Sequence, residues 1–538
     1  MFFDARQVPQ NTTLHGDLCI VGAGAAGITI ARELIGTSYK VIVLESGDFD
    51  MDVAVQSLNA GDNVGLEYSA LESGRSRYFG GGTNCWGGWC RPLDPMDFEK
   101  RDWIPHSGWP FDRATLDPFY ERAYKLCSLG SNDFDPDSCA KEVAPLGLQI
   151  LPIKDSRVIT QISRISKQPR FGRSYKEEIG AAANVDVYLN ANVLEIETVD
   201  PPHEVTGLRI ATLAGAQFRV SAKAYVLATG GIENPRLLLA SNRVQKAGLG
   251  NQNDLVGRFF MEHPRLHAGE VVLNDPATTI NLYDPQFTYF NSPIGAHLAL
   301  SGEAQRAEKL INFKTWIITV YRGEESRGGE SLKNLYRAIR KTTLPDHFMD
   351  TSGAFWVKNF GNTVLDFPNT TAVILGRLFK PRWLVKKLMF ANLIEPVPNR
   401  DSRVVLTEEK DRIGLSRIRL DWRLTRLDKY SIRRAHEIIH EAVEQSGVGR
   451  VEDRLSGDAD LDWPGDLGWG WHHMGTTRMH DDPKQGVVDK NCKVHGIANL
   501  YIGGSSVFPT GGNDLPTLTI VALALRLADH IKSALQNA

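Results

Sequence analysis

The chain has few cysteines for its length, and their arrangement argues against a disulfide framework. Only six occur in 538 residues, they are scattered, and no two form a C-x-x-C pair. Small secreted domains that rely on disulfides are much richer in cysteine. A reducing compartment is therefore the expectation.

Long apolar runs and an excess of one charge are also missing. No run reaches the roughly 18 apolar residues that a transmembrane helix needs. The first residues, MFFDARQVPQNTTLHGD, lack the basic and apolar segments of a signal peptide. The formal net charge of −3 gives no reason to expect a nucleic-acid partner. We predict a cytoplasmic protein, or a periplasmic one only if it is exported with a partner.

Length and glycine content are the first positive features. Chains longer than roughly 250–300 residues usually divide into domains, so 538 residues predict two. The 49 glycines fall largely in clusters. Such clusters indicate backbone that approaches a ligand closely, or simply tight turns.

Residues 17–45, DLCIVGAGAAGITIARELIGTSYKVIVLE, have the order of a dinucleotide-binding unit. In the G-x-G-x-x-G pattern, Gly22 permits the tight turn, Gly24 lets a pyrophosphate approach, and Gly27 lets the helix pack on the strand. Glu45 ends the second strand and can accept hydrogen bonds from ribose hydroxyls, which disfavours NADP but leaves FAD and NAD open. A glycine-rich turn in an unrelated α/β protein is the alternative. The predicted strands are 18–21 and 41–44, and the predicted helix is 28–34.

Further glycine-rich blocks favour FAD over NAD. They are GGGTNCWGG within 74–98, AYVLATGGIENPRLLLAS at 224–241, and a late strand that runs into two glycines within 484–510. A simple NAD dehydrogenase domain does not need a second glycine-rich loop. A flavin enzyme does, because both the isoalloxazine and the pyrophosphate require close-fitting backbone.

Six blocks, in this order, resemble the glucose–methanol–choline (GMC) family of FAD-dependent oxidoreductases: GAGAAG, GGGTNCWGG, ATGGIENPRLLLAS, NDLVGRFFMEHP, HHMGTTRM and GGSSVFPTGG…PTLTIVALALRLADHI. The nearest branch contains bacterial sugar and gluconate dehydrogenases and pyranose oxidases. The resemblance implies an α/β fold (α+β overall). A Rossmann-like FAD-binding domain would be built from 1–265 and 455–538, with a mainly antiparallel substrate-binding domain at 266–454. Alternating apolar and polar residues at 310–321 and 402–422 fit such a sheet.

The same resemblance implies the residues that contact FAD. They are Gly22, Ala23, Gly24, Gly27, Glu45, Ser46, Arg77, Gly81, Gly82, Thr83, Asn84, Cys85, Trp86, Val193, Ala228, Gly230, Glu233, Gly504, Ser505, Leu515, Pro516 and Thr517.

Three histidines lie close together in GWGWHHMGTTRMH, residues 468–480. Sequence neighbours point apart on a helix or strand, and the common zinc spacings are missing, so no metal site is expected. Oxidising an alcohol releases a hydride and a proton, and histidine is the usual base for that proton. The family's H-x-x-G-T block implies that His472 is this base. His473 is a further candidate, although it and His480 fit equally a structural role.

The final block departs from the family pattern. A second histidine or an asparagine usually faces the catalytic histidine, but Leu515 occupies that position and cannot bind a hydroxyl. We predict that Asn513, His473 or Asp514 replaces it. If none does, the expectation is poor turnover, an apolar substrate or a different reaction.

Two further positions concern the flavin. Pro516 opens the last helix, whose N-terminal dipole favours negative charge on the reduced flavin. The resemblance places this helix end at the flavin pyrimidine ring. Cys85 aligns with a histidine that bonds the flavin covalently in some members, and the alternative is a small residue packed beneath the ring.

Residues 377–388, RLFKPRWLVKKL, mix five basic residues with large apolar ones and contain no acid. Such a stretch fits a membrane-surface helix or a docking site for an electron acceptor. The alternative is a solvated helix of the substrate domain with one buried side.

The sequence as a whole predicts an FAD-dependent oxidoreductase, a dehydrogenase or an oxidase, that acts on a CH–OH group. The family suggests a sugar, glycoside, sugar acid or polyol as substrate, and oxygen, a quinone or a cytochrome as electron acceptor. Two alternatives stay open. One is a lyase or isomerase with redox-silent FAD, and the other is a non-catalytic FAD-containing subunit.

Overall fold

A computed structural model describes residues 1–275, 278–340, 352–452 and 467–536. The strands are β1 Phe2–Asp4, β2 Thr13–Val21, β3 Val41–Leu44, β4 Gly61–Asn63, β5 Trp89–Cys90, β6 Val158–Ile165, β7 Val185–Leu189, β8 Asn192–Thr198, β9 Val205–Ala211, β10 Gln217–Leu227, β11 Pro264–Leu273, β12 Ile294–Leu300, β13 Phe313–Tyr321, β14 Val385–Ile394, β15 Arg403–Lys410, β16 Ser416–Asp421, β17 Gly449–Glu452, β18 Gly468–Trp469 and β19 Leu500–Ile502.

The α-helices are α1 Ala25–Glu33, α2 Val53–Gln56, α3 Pro95–Phe98, α4 Asp117–Leu126, α5 Pro136–Val143, α6 Phe171–Ala181, α7 Glu233–Ala240, α8 Pro285–Asn291, α9 Gly302–Glu308, α10 Arg327–Arg340, α11 Gly353–Leu365, α12 Phe367–Phe379, α13 Arg426–Gln445 and α14 Thr517–Gln536.

The first sheet is a Rossmann-like sheet with the order β1-β7-β3-β2-β10-β9-β8, and β19 also pairs with β10. Neighbouring strands pair in parallel from β1 through β7, β3 and β2 to β10, and β19 pairs in parallel with β10. The pairs β10–β9 and β9–β8 at the other edge are antiparallel. The predicted strand 41–44 coincides with β3. The predicted strand 18–21 is the buried end of β2, which extends back to Thr13 because β10 continues to pair with it.

The second sheet is antiparallel, as predicted, with the order β17-β11-β14-β13-β12-β6-β5 and β18 beside β11. Its strands alternate between two faces. One face packs apolar side chains against helix α13, and the other carries polar and aromatic residues. Strands β5 and β6 lie in this sheet although the sequence assigned 1–265 to the FAD-binding domain.

The hairpin at 402–422 does not join the second sheet, contrary to expectation. Strands β15 and β16 form a separate three-stranded sheet with β4, which runs parallel to β16. This small sheet has its own apolar cluster around Tyr68 and Trp422. The hairpin therefore supports the loops near the site rather than the substrate-facing sheet.

Residues 377–388 do not form one helix. Helix α12 ends at Phe379, Lys380 has left-handed backbone with φ 51°, and β14 begins at Val385. Pro381 cannot continue a helix because it has no N–H to donate. The stretch is therefore not one helix, as both helical interpretations assumed, and only its first three residues belong to α12. In the described ranges, no helix is both long and apolar enough to span a bilayer.

Candidate functional site

A cavity of about 700 Å³ opens between the first and second sheets. One half lies at the carboxyl ends of β2, β3 and β10, where nucleotides bind in open parallel sheets. The other half lies against the polar face of the second sheet. Both halves meet at the loop that carries His472 and His473.

Most of the residues expected to contact FAD line this cavity. They are Gly22, Gly24, Glu45, Ser46, Arg77, Gly81, Gly82, Thr83, Cys85, Trp86, Val193, Ala228, Gly230, Glu233, Gly504, Ser505, Leu515, Pro516 and Thr517.

Ala23, Gly27 and Asn84 do not line the cavity but shape its walls. The Ala23 N–H donates to Glu45 Oε2 at 2.8 Å. A Cβ on Gly27 would lie 1.9 Å from the Gly22 carbonyl oxygen, so only glycine lets α1 pack this closely. Asn84 Nδ2 donates to the Phe79 carbonyl at 2.9 Å. All three therefore act on the backbone that surrounds the ligand.

Glycines without side chains line much of the nucleotide half, so a bulky cofactor can approach the backbone closely. A Cβ built on Gly82, Gly230 or Gly504 would meet no atom within 4 Å. At Gly81, by contrast, a Cβ would lie 2.9 Å from the Gly24 Cα, so the two glycine loops face each other closely. The residues present therefore fit FAD. The N-terminus of α1 is suited to the pyrophosphate.

The carboxylate of Glu45 is buried and oriented by the backbone. It accepts hydrogen bonds from the N–H of Ala23, from that of Gly47 at 3.0 Å and from the Ser46 hydroxyl at 3.3 Å. A carboxylate has about four acceptor positions. About one position is therefore left for a ribose hydroxyl, and a second opens if the Ser46 hydroxyl turns away.

An arginine cluster that the sequence did not predict supports the floor of this half. Glu233 pairs with Arg75 and Arg77 at 3.2 Å and with Arg236 at 3.0 Å. Burial alone would raise the pKa of Glu233, but these guanidinium groups lower it to about 2. Glu233 is therefore a permanent anion that fixes the loop, not a base.

His472 reaches the cavity, and its neighbour His263 fixes its tautomer. His263 Nε2 lies 2.8 Å from the Gly512 carbonyl oxygen, which can only accept, so Nε2 carries the proton. His263 Nδ1 is then an acceptor, and His472 Nδ1, 2.8 Å away, must donate to it. Nε2 of His472 is left with a free lone pair, which is the form that a general base needs.

Both imidazoles are neutral. Burial lowers the pKa of His263 to about 4. Burial, and then the neighbouring His263 and Arg265, hold the pKa of His472 well below 6.5. The hydrogen-bond chain from Gly512 therefore exists without net charge at neutral pH.

His473 also lines the cavity, but its ring belongs to a second hydrogen-bond chain. Its Nε2 lies 2.8 Å from the Tyr68 hydroxyl, which donates to Glu262 Oε2 at 2.5 Å. Glu262 also accepts the backbone N–H of His472 at 2.9 Å. Burial raises the pKa of Glu262 to about 7. This chain holds the histidine loop in place.

The polar groups expected to replace Leu515 are engaged elsewhere. Leu515 itself lines the cavity. Asn513, predicted as catalytic, is buried away from it and donates to Asn312 Oδ1 at 2.8 Å. Asp514 is bound by Lys314 at 2.6 Å and Arg91 at 2.7 Å. In this structure neither swings into the site, because each satisfies a buried partner.

Glu262 and His263 lie within the block NDLVGRFFMEHP, and the motif alone predicts no role for them. The pattern that could have marked them as site residues is an acid next to a histidine, shortly after an apolar run. It was not sufficient, because their partners at Gly512, Tyr68 and His472 are distant in sequence and only the fold brings them together.

The substrate half is lined by polar and aromatic side chains of the second sheet, together with Ile318 and Ala391. They include Arg265 and His267 from β11, Trp316 from β13 and Asn392 from β14. The Arg265 side chain forms no ion pair or hydrogen bond with any residue in the described part of the chain. A guanidinium in this state is suited to bind oxygens of a ligand.

Comparisons with known proteins agree with this geometry. A family model for FAD dependent oxidoreductases matches residues 17–246, and one for GMC oxidoreductases matches 398–524. A 2-methyl-1,2-propanediol dehydrogenase from Mycolicibacterium austroafricanum is 25% identical, covering 96% of this chain and 95% of that protein. A 6'''-hydroxyparomomycin C oxidase from Streptomyces lividus is 24% identical, covering 96% and 92%. A solved formate oxidase shares the fold, with a TM-score of 0.56, 16% identity and coverage of 98% and 100%.

Proposed function

Because the chain belongs to the GMC family of FAD-dependent oxidoreductases, we propose that it oxidises a CH–OH group with His472 as the base. The observation that carries the proposal is the hydrogen-bond chain from the Gly512 carbonyl through His263 to His472. It leaves Nε2 of His472 unprotonated at the edge of the cavity.

Each residue of the site has a separate role in the proposed oxidation. The glycine loops and Glu45 would hold FAD, which would supply the hydride acceptor. His472 Nε2 removes the hydroxyl proton, and His263 orients its ring. Arg265, which has no carboxylate partner among the described residues, donates to oxygens of the substrate and holds the carbinol carbon in place.

Small polyhydroxylated molecules are the proposed substrate class: a diol or polyol, a sugar, a glycoside or a sugar acid. The relatives named above act on 2-methyl-1,2-propanediol and on 6'''-hydroxyparomomycin C, and the polar side chains of the second sheet suit several hydroxyl groups.

Anaerobic flavin absorbance tests this function. The FAD-loaded protein is titrated with 1,2-diols, aldoses, glycosides and aldonic acids, and one of these should bleach the flavin. His472→Ala should slow that reduction by about 10²–10⁴-fold, the usual contribution of a general base. His15→Ala, an exposed histidine outside the cavity, is the matched control. Normal reduction by His472→Ala would refute the assigned base.

Leu515 at the cavity wall favours one alternative, a lyase or isomerase with redox-silent FAD. It would convert a substrate of the panel without bleaching the flavin, and product analysis of the same anaerobic samples detects this. If a substrate does bleach the flavin, readmission of oxygen, a quinone or a cytochrome identifies the acceptor.

A further inference from the structure

A helical insertion interrupts the second sheet between two strands that line the cavity. Strands β13 and β14 are paired neighbours, yet 63 residues separate them, 322–384. Helices α10, α11 and α12 lie in this segment and pack against one another. The proposed function assigns this insertion no task.

The insertion concentrates exposed apolar side chains. Of the 21 large hydrophobic residues exposed in the described part of the chain, twelve lie between 336 and 383. Leu365 is 87% exposed and Phe379 is 73% exposed. We call the following set the apolar ridge: Trp356, Val357, Phe360, Val364, Leu365, Phe367, Ile374, Leu378, Phe379 and Trp383.

The ridge follows the helical repeat rather than being scattered. On α12, Phe367, Ile374 and Leu378 are seven and eleven residues apart, which places them on one face of a helix with about 3.6 residues per turn. On α11, Val357, Phe360 and Val364 form a similar stripe. Two adjacent helices therefore present apolar faces outward.

The inward face of the insertion combines polar and small residues with two apolar ones, Leu335 and Val373. Asn359 and Asn362 are the buried residues of α11, and Asn362 Nδ2 donates to Ser331 Oγ of α10 at 3.0 Å. Thr370, buried on α12, donates to the Thr363 carbonyl at 3.0 Å. Helices in water normally bury their apolar side, whereas helices in lipid join through small and polar residues and turn apolar ones outward.

The charge around the ridge favours an anionic partner. From 352 to 394 there are six basic residues and a single acid, Asp366, in a chain whose net charge is −3. Arg377 pairs with Glu324, and Lys386 and Lys387 pair with Glu325. Lys358 and Lys380 have no carboxylate partner among the described residues, and Lys380 Nζ lies 3.8 Å from the centroid of the Phe287 ring. Lysine beside exposed phenylalanine and tryptophan suits the headgroup region of an anionic bilayer.

We propose that α11, α12 and Trp383 insert the apolar ridge into one leaflet of an anionic phospholipid bilayer. Thirteen residues of helix span roughly 20 Å, less than the roughly 30 Å hydrocarbon core. The ridge therefore lies in the interface and does not cross the membrane. Ile318, which lines the cavity, is three residues before the end of β13, so the site is held near the membrane surface.

Vesicle flotation of the FAD-loaded full chain tests the proposal. The wild type should float with vesicles of phosphatidylcholine and phosphatidylglycerol, and less with phosphatidylcholine alone. The triple variant Phe360→Ser, Leu365→Ser, Phe379→Ser should lose binding by about tenfold or more. Its control, Val53→Ser, Val64→Ser, Leu146→Ser, changes three apolar residues elsewhere that are 55–58% exposed, and it should bind as the wild type does.

The charge contribution has its own variant. Lys358→Glu with Lys380→Glu should reduce binding to the mixed vesicles and leave binding to pure phosphatidylcholine unchanged. Flavin absorbance of every variant confirms that it has folded. Failure of the wild type to float, or normal flotation of the ridge variant, overturns the proposal. So does a lipid-free dimer in sedimentation velocity that the ridge variant abolishes, since the ridge would then bind a second copy.

Discussion

At the scale of single residues, the site depends on the direction of two hydrogen bonds between His263 and its neighbours. Gly512 fixes the proton on His263 Nε2, and His263 Nδ1 in turn requires a donor from His472. In the proposed mechanism His263 is therefore a positioning residue, because it would act on the substrate only through His472.

We expect His263→Leu to slow anaerobic flavin reduction by about 10–100-fold, because the buried Nδ1–H of His472 would lose its acceptor at a cost of about 1–3 kcal/mol. His263→Asn should recover most of the rate, since its Oδ1 can take the place of the ring Nδ1. Equilibrium FAD binding should be unchanged in both variants. Equal loss in the two variants would mean that the ring acts by packing alone.

The second residue-scale prediction concerns pH. His472 acts as a base only when Nε2 is unprotonated, and burial, followed by the nearby His263 and Arg265, holds its pKa well below 6.5. The unprotonated fraction is therefore complete above pH 6.5, and the rate of flavin reduction should fall only at lower pH, by about tenfold per unit below the pKa.

Stopped-flow measurement of flavin reduction at saturating substrate, between pH 5 and 9, shows where the rate begins to fall on the acid side. Glu262 titrates nearby, with its pKa raised to about 7 by burial. Glu262→Gln removes that group. An acid limb at or above pH 6.5 that persists in Glu262→Gln would contradict the assignment to His472.

The sequence located some of these residues and missed others for a physical reason. His472 and the glycines around FAD lie in short contiguous motifs, so their spacing alone is informative. His263 and Glu262 act through partners about 200 residues away. No local pattern encodes such contacts. Asn513 was predicted to face His472, but its side chain turns to Asn312. Its proximity to Leu515 in the sequence does not show the direction of the side chain.

At the scale of elements, the close packing of α1 on β2 gives a further prediction. Gly27→Ala would place a methyl group 1.9 Å from the Gly22 carbonyl, so α1 must move away from the strand. We expect FAD affinity to fall at least tenfold and the unfolding free energy to fall by about 1–3 kcal/mol.

The matched control for this variant is Gly361→Ala in α11, also a glycine within a helix. There a Cβ meets nothing within 4 Å, and alanine favours the helix by about 1 kcal/mol. Titration calorimetry with FAD and urea unfolding measure both quantities. Comparable effects of the two substitutions would show that general helix propensity, not the contact with Gly22, is responsible.

Elements with a clear hydrophobic periodicity were predicted correctly from the sequence. The sheet that a strand joins was not. The β2–α1–β3 unit and the final helix follow from hydrophobic spacing, glycines and Pro516. The hairpin β15–β16 alternates as a sheet strand should, but alternation cannot show which sheet it joins. Within 377–388, helix α12 ends before Lys380 and Pro381, and strand β14 begins at Val385. Composition alone does not reveal this change from helix to strand.

At the scale of the whole molecule, the cavity is assembled from segments that are far apart in sequence. Its nucleotide half takes residues near 22–46, 74–87, 228–237 and 504–520, and its other half takes residues of β11, β13 and β14. Only the folded chain brings these segments together. FAD should therefore bind the native state alone and stabilise the molecule as a unit.

This linkage gives the last prediction. At 100 times its dissociation constant, FAD should raise the unfolding free energy by about 2.7 kcal/mol, with about 1.4 kcal/mol more for each further tenfold. Thermal unfolding of the reconstituted apoprotein, followed by tryptophan fluorescence, measures the shift. FMN lacks the adenosine half, so it cannot use Glu45 or the β2–α1 turn, and its shift at equal concentration should be smaller. Equal shifts for both flavins would show that the Rossmann-like half of the cavity does not bind the adenosine, because the energy would then come from the flavin ring alone.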